Sequence, residues 1–295
     1  MNIVLVCLNN FQEYILTNIQ QLIRLGHKNI YVLTNGDLFT HFKDFNDYIT
    51  LVDVNLLHDS YNFMNRCNMD TQFRGGFWVL TSMRFFYIYA FMIKYNVENI
   101  IHIENDVLLY YNCDILQDKL NKKFVYIPFD NMKRNITSIM YIPTSAIFKT
   151  ILDHYSPYET DMFNFSIIQQ KTGLIQPFPI FCEENSQDDV VAFISKNFSN
   201  LNYIFDGAAI GQYFGGIDPR NNPDFYSLDV NPINNDDCKI GFVNESCVIK
   251  FDQYSFIWKM DEHIPNLKRP FVIINNQELP IFNLHIHSKK LEKFV

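Results

Sequence analysis

The chain carries little positive charge for its length. Its 295 residues include 24 Lys and Arg against 32 Asp and Glu, which gives a formal net charge of −8 at pH 7. Binding to a phosphate backbone is driven by basic residues, so this balance argues against a nucleic acid as partner. With 19% charged and 48% hydrophobic residues, the composition is typical of a globular chain and too apolar for a disordered one.

Long uninterrupted apolar runs are also missing. The most apolar longer stretch, Phe77 to Ile93, contains Thr81, Ser82 and Arg84. It therefore predicts a buried helix rather than a membrane span. The apolar run at the N-terminus has no basic residues before it and is only a strand's length, which does not fit a secretory signal. We expect no transmembrane segment and a cytoplasmic location.

Several short signatures are absent as well. Neither GxGxxG nor GxxxxGK followed by Ser or Thr occurs, which disfavours dinucleotide-binding and P-loop enzymes. No CxxC pair and no histidine at zinc-finger spacing is present, which predicts reduced thiols in a cytosolic protein. The six cysteines are scattered along the chain: Cys7, Cys67, Cys113, Cys182, Cys238 and Cys247.

What is present in the first half is an alternation of β-branched runs with longer amphipathic segments. This pattern is typical of βα units that build a mostly parallel sheet. The predicted order is strand, helix, strand, strand, helix, strand, at Ile3 to Leu8, Phe11 to Leu25, Asn29 to Thr34, Tyr48 to Val54, Thr81 to Tyr95 and Asn99 to Ile103.

The second half is less regular. It contains further strand-like segments at Phe124 to Ile127, Ser138 to Ile142, Val248 to Phe251, Phe271 to Ile274 and Ile281 to His287. No repeat and no linker divides the chain, so we expect a single domain over residues 1–295.

Two carboxylates directly follow the fourth predicted strand. Ligands of open α/β sheets bind outside the carboxyl ends of the strands, which makes this position a candidate site. Residues two apart on a strand share a face, so Glu104 and Asp106 should project together and Asn105 to the other side. Two close carboxylates predict a divalent cation such as Mg²⁺ or Mn²⁺ between them. The alternative is that Glu104 caps a turn and Asp106 is a solvated loop residue.

A second polar cluster lies near the C-terminus. Within a strand, His285 and His287 would share a face that Lys289 continues. A neutral imidazole is a metal ligand, and a lysine can neutralise phosphate oxygens. The alternative is that both histidines are ordinary core or surface residues.

These two clusters, together with the βα order, resemble the glycosyltransferases of the type A (GT-A) fold, within the nucleotide-diphospho-sugar transferase superfamily. The segment from Arg84 to Leu109 is similar to the superfamily's helix-to-DxD segment, with Glu104-Asn105-Asp106 as a variant of the DxD motif. The resemblance implies an α/β fold with a Rossmann-like, mostly parallel central sheet flanked by helices, and an irregular C-terminal half. Residues from 1 to about 130 would form the donor half, and those from about 131 to 295 the acceptor half with the C-terminal metal and phosphate segment.

The resemblance also implies a binding site for the donor. The metal would be held by Glu104 and Asp106, with His285 or His287 completing the coordination. The donor nucleotide and its phosphates would contact Leu8, Asn9, Thr34, Asn35, Asp37, Arg84, Glu104, Asn105, Asp106, Ser288 and Lys289.

Four residues are candidates for the chemistry at the sugar. An inverting transfer needs a carboxylate as general base, for which Asp188, Asp189 and Asp206 are the candidates in that order. A retaining transfer needs no such base, and Gln212 or an aspartate near the sugar would only support its front face. The sequence leaves both routes open.

The predicted activity is therefore that of a metal-dependent glycosyltransferase of the hexosyltransferase type. It would move a sugar from a nucleoside diphosphate donor to a glycan or another acceptor hydroxyl. In such enzymes uridine is the commonest base, so a UDP-sugar is expected and a GDP-sugar is the alternative. The alternative from another class is a non-catalytic carbohydrate- or nucleotide-binding protein on the same fold. A sugar nucleotidyltransferase is disfavoured because Cys7 to Phe11 lacks the glycine-rich loop that it requires.

Overall fold

The computed structural model describes residues 1–216, 218 and 249–295. Its β-strands are β1 Asn2–Cys7, β2 Ile30–Thr34, β3 Ile49–Asp53, β4 Ile100–Ile103, β5 Val107–Leu109, β6 Val125–Asn131, β7 Arg134–Asn135, β8 Ile139–Ile142, β9 Ile175–Phe178, β10 Ile204–Phe205, β11 Ser255–Met260, β12 Lys268–Ile274 and β13 Gln277–His285. Its α-helices are α1 Tyr14–Arg24, α2 Phe63–Arg66, α3 Phe77–Tyr95, α4 Ser145–Leu152, α5 Asp161–Thr172, α6 Asp189–Ser195, α7 Phe198–Leu201 and α8 Ile210–Gly215.

The described part of the chain forms two sheets, and the larger has the strand order β3-β2-β1-β4-β8-β6-β7, with β9 beside β6. Strand β1 lies parallel to β2 and β4, β2 lies parallel to β3, and β6 lies parallel to β9. Strand β8 runs antiparallel to both of its neighbours, β4 and β6. The predicted α/β class with a mostly parallel central sheet is confirmed.

Alternate residues of the central strands pack into two cores, one on each face of this sheet. In β1, Ile3 and Leu5 share a core with the apolar side of α1, whereas Val4 shares the other core with α3. These three side chains have no exposed surface. A parallel strand that is covered on both faces is apolar throughout, which is why its sequence reads as a continuous β-branched run.

Helix α3 begins four residues earlier than the predicted start at Thr81. It follows Gly75 and Gly76, whose φ angles of +65° and +81° are left-handed and keep the preceding turn separate from the helix. Among the described residues one helical stretch, Phe73–Tyr95, is long and apolar enough to cross a membrane, and 67% of its most apolar window is buried inside the protein. The helix is thus a core element, as predicted.

The second sheet joins distant parts of the chain. Its strand order is β10-β13-β12-β11, and the short β5 pairs with β13. Strand β13 ends at His285, so the prediction that His287 lies within the same strand is wrong. The pairing extends one residue further, where the Ile286 amide donates to the Asp106 carbonyl at 2.8 Å. The chain then turns, because the Lys289 amide donates to the Ile286 carbonyl at 3.0 Å and Lys289 adopts a left-handed φ of +64°.

The prediction of a strand from Val248 to Phe251 is wrong over the described residues 249–251. Val248 lies outside the described residues, and a 3₁₀-helix begins at Phe251. The edge of the second sheet starts only at Ser255, which pairs with Ile273 of β12. An apolar run becomes a strand only where a neighbouring strand offers hydrogen bonds, and the local sequence does not show this.

The four described cysteines form no disulfide with one another. Cys7 and Cys113 are buried, and Cys67 and Cys182 are partly buried. Cys238 and Cys247 lie outside the described residues.

Candidate active site

A cleft of about 1020 Å³ opens at one edge of the larger sheet. The parallel strands β1, β4 and β6 place their carboxyl ends at this edge, which is where open α/β sheets bind ligands. The antiparallel β8 begins there, with Ile139 opposite Ile103. The volume lies at the upper end of the range for small-molecule sites, about 300 to 1,000 Å³.

Glu104, Asn105 and Asp106 form a tight turn between β4 and β5. The Val107 amide donates to the Glu104 carbonyl at 3.0 Å, which closes the turn. The Asn105 amide group points the other way and donates to the Val6 carbonyl at 2.8 Å and to Gln12 Oε1 at 2.6 Å. The two carboxylates therefore share one side, as predicted, although a turn rather than an extended strand brings them together.

The pairing of β5 with β13 brings a histidine to these carboxylates. The two strands are antiparallel in a register that sets His285 opposite Val107, the residue after Asp106. Because His285 and Asp106 are far apart in sequence, this contact exists only through the sheet.

Glu104, Asp106 and His285 form the triad of the site. The His285 Nε2 atom lies 3.2 Å from Glu104 Oε2 and 3.4 Å from Asp106 Oδ2. One potential ligand atom from each residue lies within 4.8 Å of the others. His285 Nδ1 is 2.6 Å from the Gly207 carbonyl, to which its N–H donates. This bond turns Nε2 toward the carboxylates, as is usual for metal-binding histidines.

The electrostatics of the triad favour a cation at its centre. Burial would lower the pKa of His285, but the Asp106 carboxylate beside it raises that pKa to about 9. Burial would raise the pKa of Asp106, but the Lys289 ammonium and His285 hold it well below its usual range. The triad thus combines two carboxylate groups and one imidazole ring, a donor set that suits Mn²⁺ or Mg²⁺.

The residues after β13 also line the cleft. The Lys289 ammonium forms an ion pair with Asp106. The rings of His285 and His287 lie 4.1 Å apart, yet in the described chain the group that could share one cation contains His285 and not His287. His287 Nδ1 lies 3.4 Å from Gln212 Nε2. Burial, with the neighbouring His285, lowers the pKa of His287 well below its usual range.

Asp206 holds the backbone around His285. Its Oδ1 accepts the amides of Ala209 and Ile210, both at 2.9 Å, and its Oδ2 accepts those of Gly211 at 2.7 Å and His285 at 2.9 Å. The residue is 1% exposed and does not line the cleft. Gly211 is required beside it, because a Cβ there would lie 2.0 Å from the His285 carbonyl oxygen. The structure places Asp206 as a support of the triad.

Arg84 is the centre of a buried polar network. Its guanidinium pairs with Glu104 and donates to Asp161 Oδ2 at 2.9 Å and to Thr137 Oγ1 at 2.7 Å. Its side chain is 8% exposed. Arg84 thus orients one carboxylate of the triad while it lines the cleft.

Asp188 and Asp189 lie at the start of α6, outside the cleft lining. The Asp188 carboxylate accepts the amides of Val190 at 2.8 Å and Val191 at 3.2 Å, which makes it the N-cap of the helix. Asp189 is exposed in the first turn of the helix. The structure does not bring either residue to the triad.

Replacing Asp188 by alanine tests its part directly. We expect the free energy of unfolding to fall by about 1 kcal/mol, the usual cost of losing an exposed N-cap. Turnover should stay within about twofold of wild type, because the side chain lies outside the cleft. Urea denaturation and steady-state kinetics measure the two effects, and a large loss of turnover in a folded variant would contradict the placement.

The predicted donor contacts fall into two groups. Those that line the cleft are Leu8, Arg84, Glu104, Asn105, Asp106 and Lys289. Those that do not are Asn9, Thr34, Asn35, Asp37 and Ser288. The Thr34 hydroxyl is buried and donates to the Cys7 carbonyl at 2.6 Å, and the Asn9 amide donates to Asn35 Oδ1 at 2.7 Å. These bonds join the ends of β1 and β2.

Sequence reasoning missed several residues of the cleft. They include the side chains of Phe73, Phe77, Trp78, Asp130, Arg134, Thr137 and Asp161. Asp130 could have been found by the rule that selected Glu104, because it lies near the carboxyl end of β6. The predicted strand stopped at Ile127 before a proline, whereas β6 continues through Pro128 to Asn131.

The chain is similar to several solved structures at low sequence identity. No protein-family model and no curated protein matches the chain. Similar solved structures include mouse xyloside xylosyltransferase 1, with 10% identity, a TM-score of 0.44 and coverage of 66% of this chain and 93% of that one. The glycosyltransferase GlyE of Streptococcus pneumoniae has 12% identity and a TM-score of 0.40, and the match covers 62% of this chain and 45% of that one. A cytidylyltransferase of Leptospira borgpetersenii has 13% identity and a TM-score of 0.40, and the match covers 64% of this chain and 77% of that one.

Proposed function

We propose that the protein is a metal-dependent glycosyltransferase of the hexosyltransferase type that moves a sugar from a UDP-sugar to an acceptor hydroxyl. The observation that carries the proposal is the triad of Glu104, Asp106 and His285 in the cleft at the carboxyl edge of a mostly parallel sheet. Lys289 stands beside the triad, where it can meet a phosphate. Together they match the chemistry of a nucleoside diphosphate bound through a divalent cation.

The triad fits a resident Mn²⁺ or Mg²⁺. Glu104 and Asp106 would hold the ion through oxygen and His285 through Nε2, whose partner nitrogen is already oriented by the Gly207 carbonyl. When bound, the ion supplies Lewis acidity toward the diphosphate of the donor. Arg84 keeps Glu104 in place, and Asp206 does the same for the backbone of His285.

The chain's own residues then stabilise the leaving group. Negative charge grows on the diphosphate as the bond between the anomeric carbon of the sugar and the diphosphate oxygen breaks. The Lys289 ammonium can donate charge-assisted hydrogen bonds to that charge. Of the predicted catalytic residues, Gln212 lines the cleft, so we assign its amide to the transferred sugar. Residues from 1 to about 130 would supply most of the donor site, which His285 and Lys289 of the later half complete.

The first test is thermal unfolding with UDP, GDP, ADP and CDP, each with and without Mn²⁺. A ligand at 100 times its dissociation constant stabilises the folded state by about 2.7 kcal/mol. We expect this shift for UDP with Mn²⁺, and we expect its loss in Asp106→Ala but not in Asp153→Ala, an exposed carboxylate paired with Lys149. A shift for GDP alone would change the assigned base.

Absence of any nucleotide shift would remove the donor site from the proposal. Where a nucleotide does shift the midpoint, metal-dependent hydrolysis of the UDP-sugar distinguishes an enzyme from a binding protein on the same fold. A non-catalytic binder would show the thermal shift without hydrolysis.

A further inference from the structure

Part of the cleft is lined by aromatic side chains that the proposed donor chemistry does not use. We call Phe73, Phe77 and Trp78 the aromatic lip; all three line the cleft. The rings of Phe73 and Trp78 are nearly parallel, at 6° and 6.3 Å between centroids, and Phe77 meets Trp78 edge-on at 4.9 Å. Phe73 is 42% exposed although it belongs to the lining. The lip therefore contributes aromatic surface to the cleft, including the partly exposed ring of Phe73.

The backbone beside the lip is strained at Arg74. Arg74, Gly75 and Gly76 adopt left-handed φ angles of +48°, +65° and +81° in succession. Such a conformation is unfavourable for arginine and persists where the surroundings enforce it, often at ligand-binding segments. The Arg74 guanidinium lies 5.2 Å from the centre of the Phe73 ring and covers part of it.

Helix α3 links the lip to the triad. Trp78, Thr81 and Arg84 all line the cleft, and the Arg84 guanidinium contacts Glu104. Arg84 comes six positions after Trp78 in the helix, a rise of about 9 Å along its axis. A ring bound on the lip would therefore lie close to the sugar of a donor held at the triad. The cleft volume of about 1020 Å³ leaves space for a second ligand beside that donor.

We infer that the aromatic lip is the acceptor subsite and that it takes a pyranose ring, so the acceptor is a glycan or a small glycoside. A pyranose has one face of C–H groups, which packs on an aromatic ring while the hydroxyl groups at its edge stay in water. This inference rests on the proposed function, since the ring is an acceptor only if a sugar donor occupies the triad.

The binding test uses the fact that the chain has two tryptophans, Trp78 and Trp258. In a Trp258→Phe background the emission reports on Trp78 alone. The probes are cellobiose, lactose, maltose, xylobiose and chitobiose. We expect at least one of them to change the emission, and Phe73→Ala to weaken that binding about tenfold or more. No response to any probe would overturn the inference.

The matched control is Phe163→Ala. Phe163 is 44% exposed, close to the value for Phe73, but it lies on α5 and does not line the cleft. We expect this variant to bind the responding disaccharide as wild type does. An equal loss in both variants would show nonspecific contact with exposed aromatic rings and would also overturn the inference.

Donor hydrolysis separates failure of the subsite from failure of the proposed function. With Mn²⁺ and a UDP-sugar but no acceptor, Phe73→Ala should hydrolyse the donor within about twofold of wild type, while its KM for the disaccharide rises about tenfold or more. If Phe73→Ala instead loses the thermal shift with UDP, the lip belongs to the donor base and the subsite is overturned while the transferase stands. If wild type hydrolyses no donor, the proposed function fails whatever the disaccharides do.

Discussion

Replacing Asp106 by asparagine is expected to lower metal-dependent turnover by at least about 10³-fold, because it removes one of two anionic ligands from the triad. The change is nearly isosteric, and Asp106 is 6% exposed in a turn closed by backbone hydrogen bonds, so the fold should survive. Mn²⁺ affinity should fall with turnover. Titration of the protein with Mn²⁺ and a donor hydrolysis assay measure the two effects.

Asp153→Asn is the control for this variant. It removes the same charge from an exposed carboxylate, whose side chain is 44% exposed and pairs with Lys149 at 2.9 Å. Its effect on turnover should be within about twofold, since Asp153 does not line the cleft, and its effect on stability should be small, since a surface ion pair contributes little. Retention of more than a tenth of wild-type turnover by Asp106→Asn would contradict the proposed metal centre.

Replacing Asp206 by alanine is expected to lower the free energy of unfolding by about 4 kcal/mol or more. Four backbone amides would lose their acceptor at once, and each unsatisfied buried donor costs about 1 to 3 kcal/mol. The start of α8 and the end of β13 are tied together by this one side chain. Chemical denaturation followed by circular dichroism measures the loss.

Asp188→Ala is the matched control for Asp206→Ala. Both carboxylates accept amides at the start of a helix, but Asp188 is exposed and the amides that it releases can bind water. We expect about 1 kcal/mol for Asp188. A loss below about 2 kcal/mol for Asp206→Ala would show that the buried carboxylate is not the anchor of His285.

The regular half of the fold could be predicted because its information is local. Runs such as Ile3 to Leu8 carry the period and the β-branched content of buried strands, and Gly26, with a φ of +82°, follows the first helix at its C-terminal end. The ends of elements were less accurate. Pro128 suggested an early stop that the observed β6 does not make, and the start of α3 depends on two left-handed glycines.

The carboxylates of the site could be predicted from the sequence for the same reason. Glu104 and Asp106 follow a short buried strand, and the position at the carboxyl end of that strand marks them without any knowledge of the rest of the chain. The roles of other acidic residues could not be predicted from the sequence, because Asp188 and Asp206 differ only in their surroundings in the folded protein. One caps an exposed helix, and the other is enclosed by four backbone amides.

Local sequence was sufficient for the α/β class, the central strands and the acidic turn, because hydrophobic period and strand ends are properties of neighbouring residues. It could not decide which histidine faces the carboxylates or that Lys289 pairs with Asp106, a residue 183 positions away. Those contacts follow from the antiparallel register of β5 and β13, which sets His285 opposite Val107 and leaves His287 beyond the strand. Such a register is chosen by the packing of the whole core, and no short segment of the chain records it.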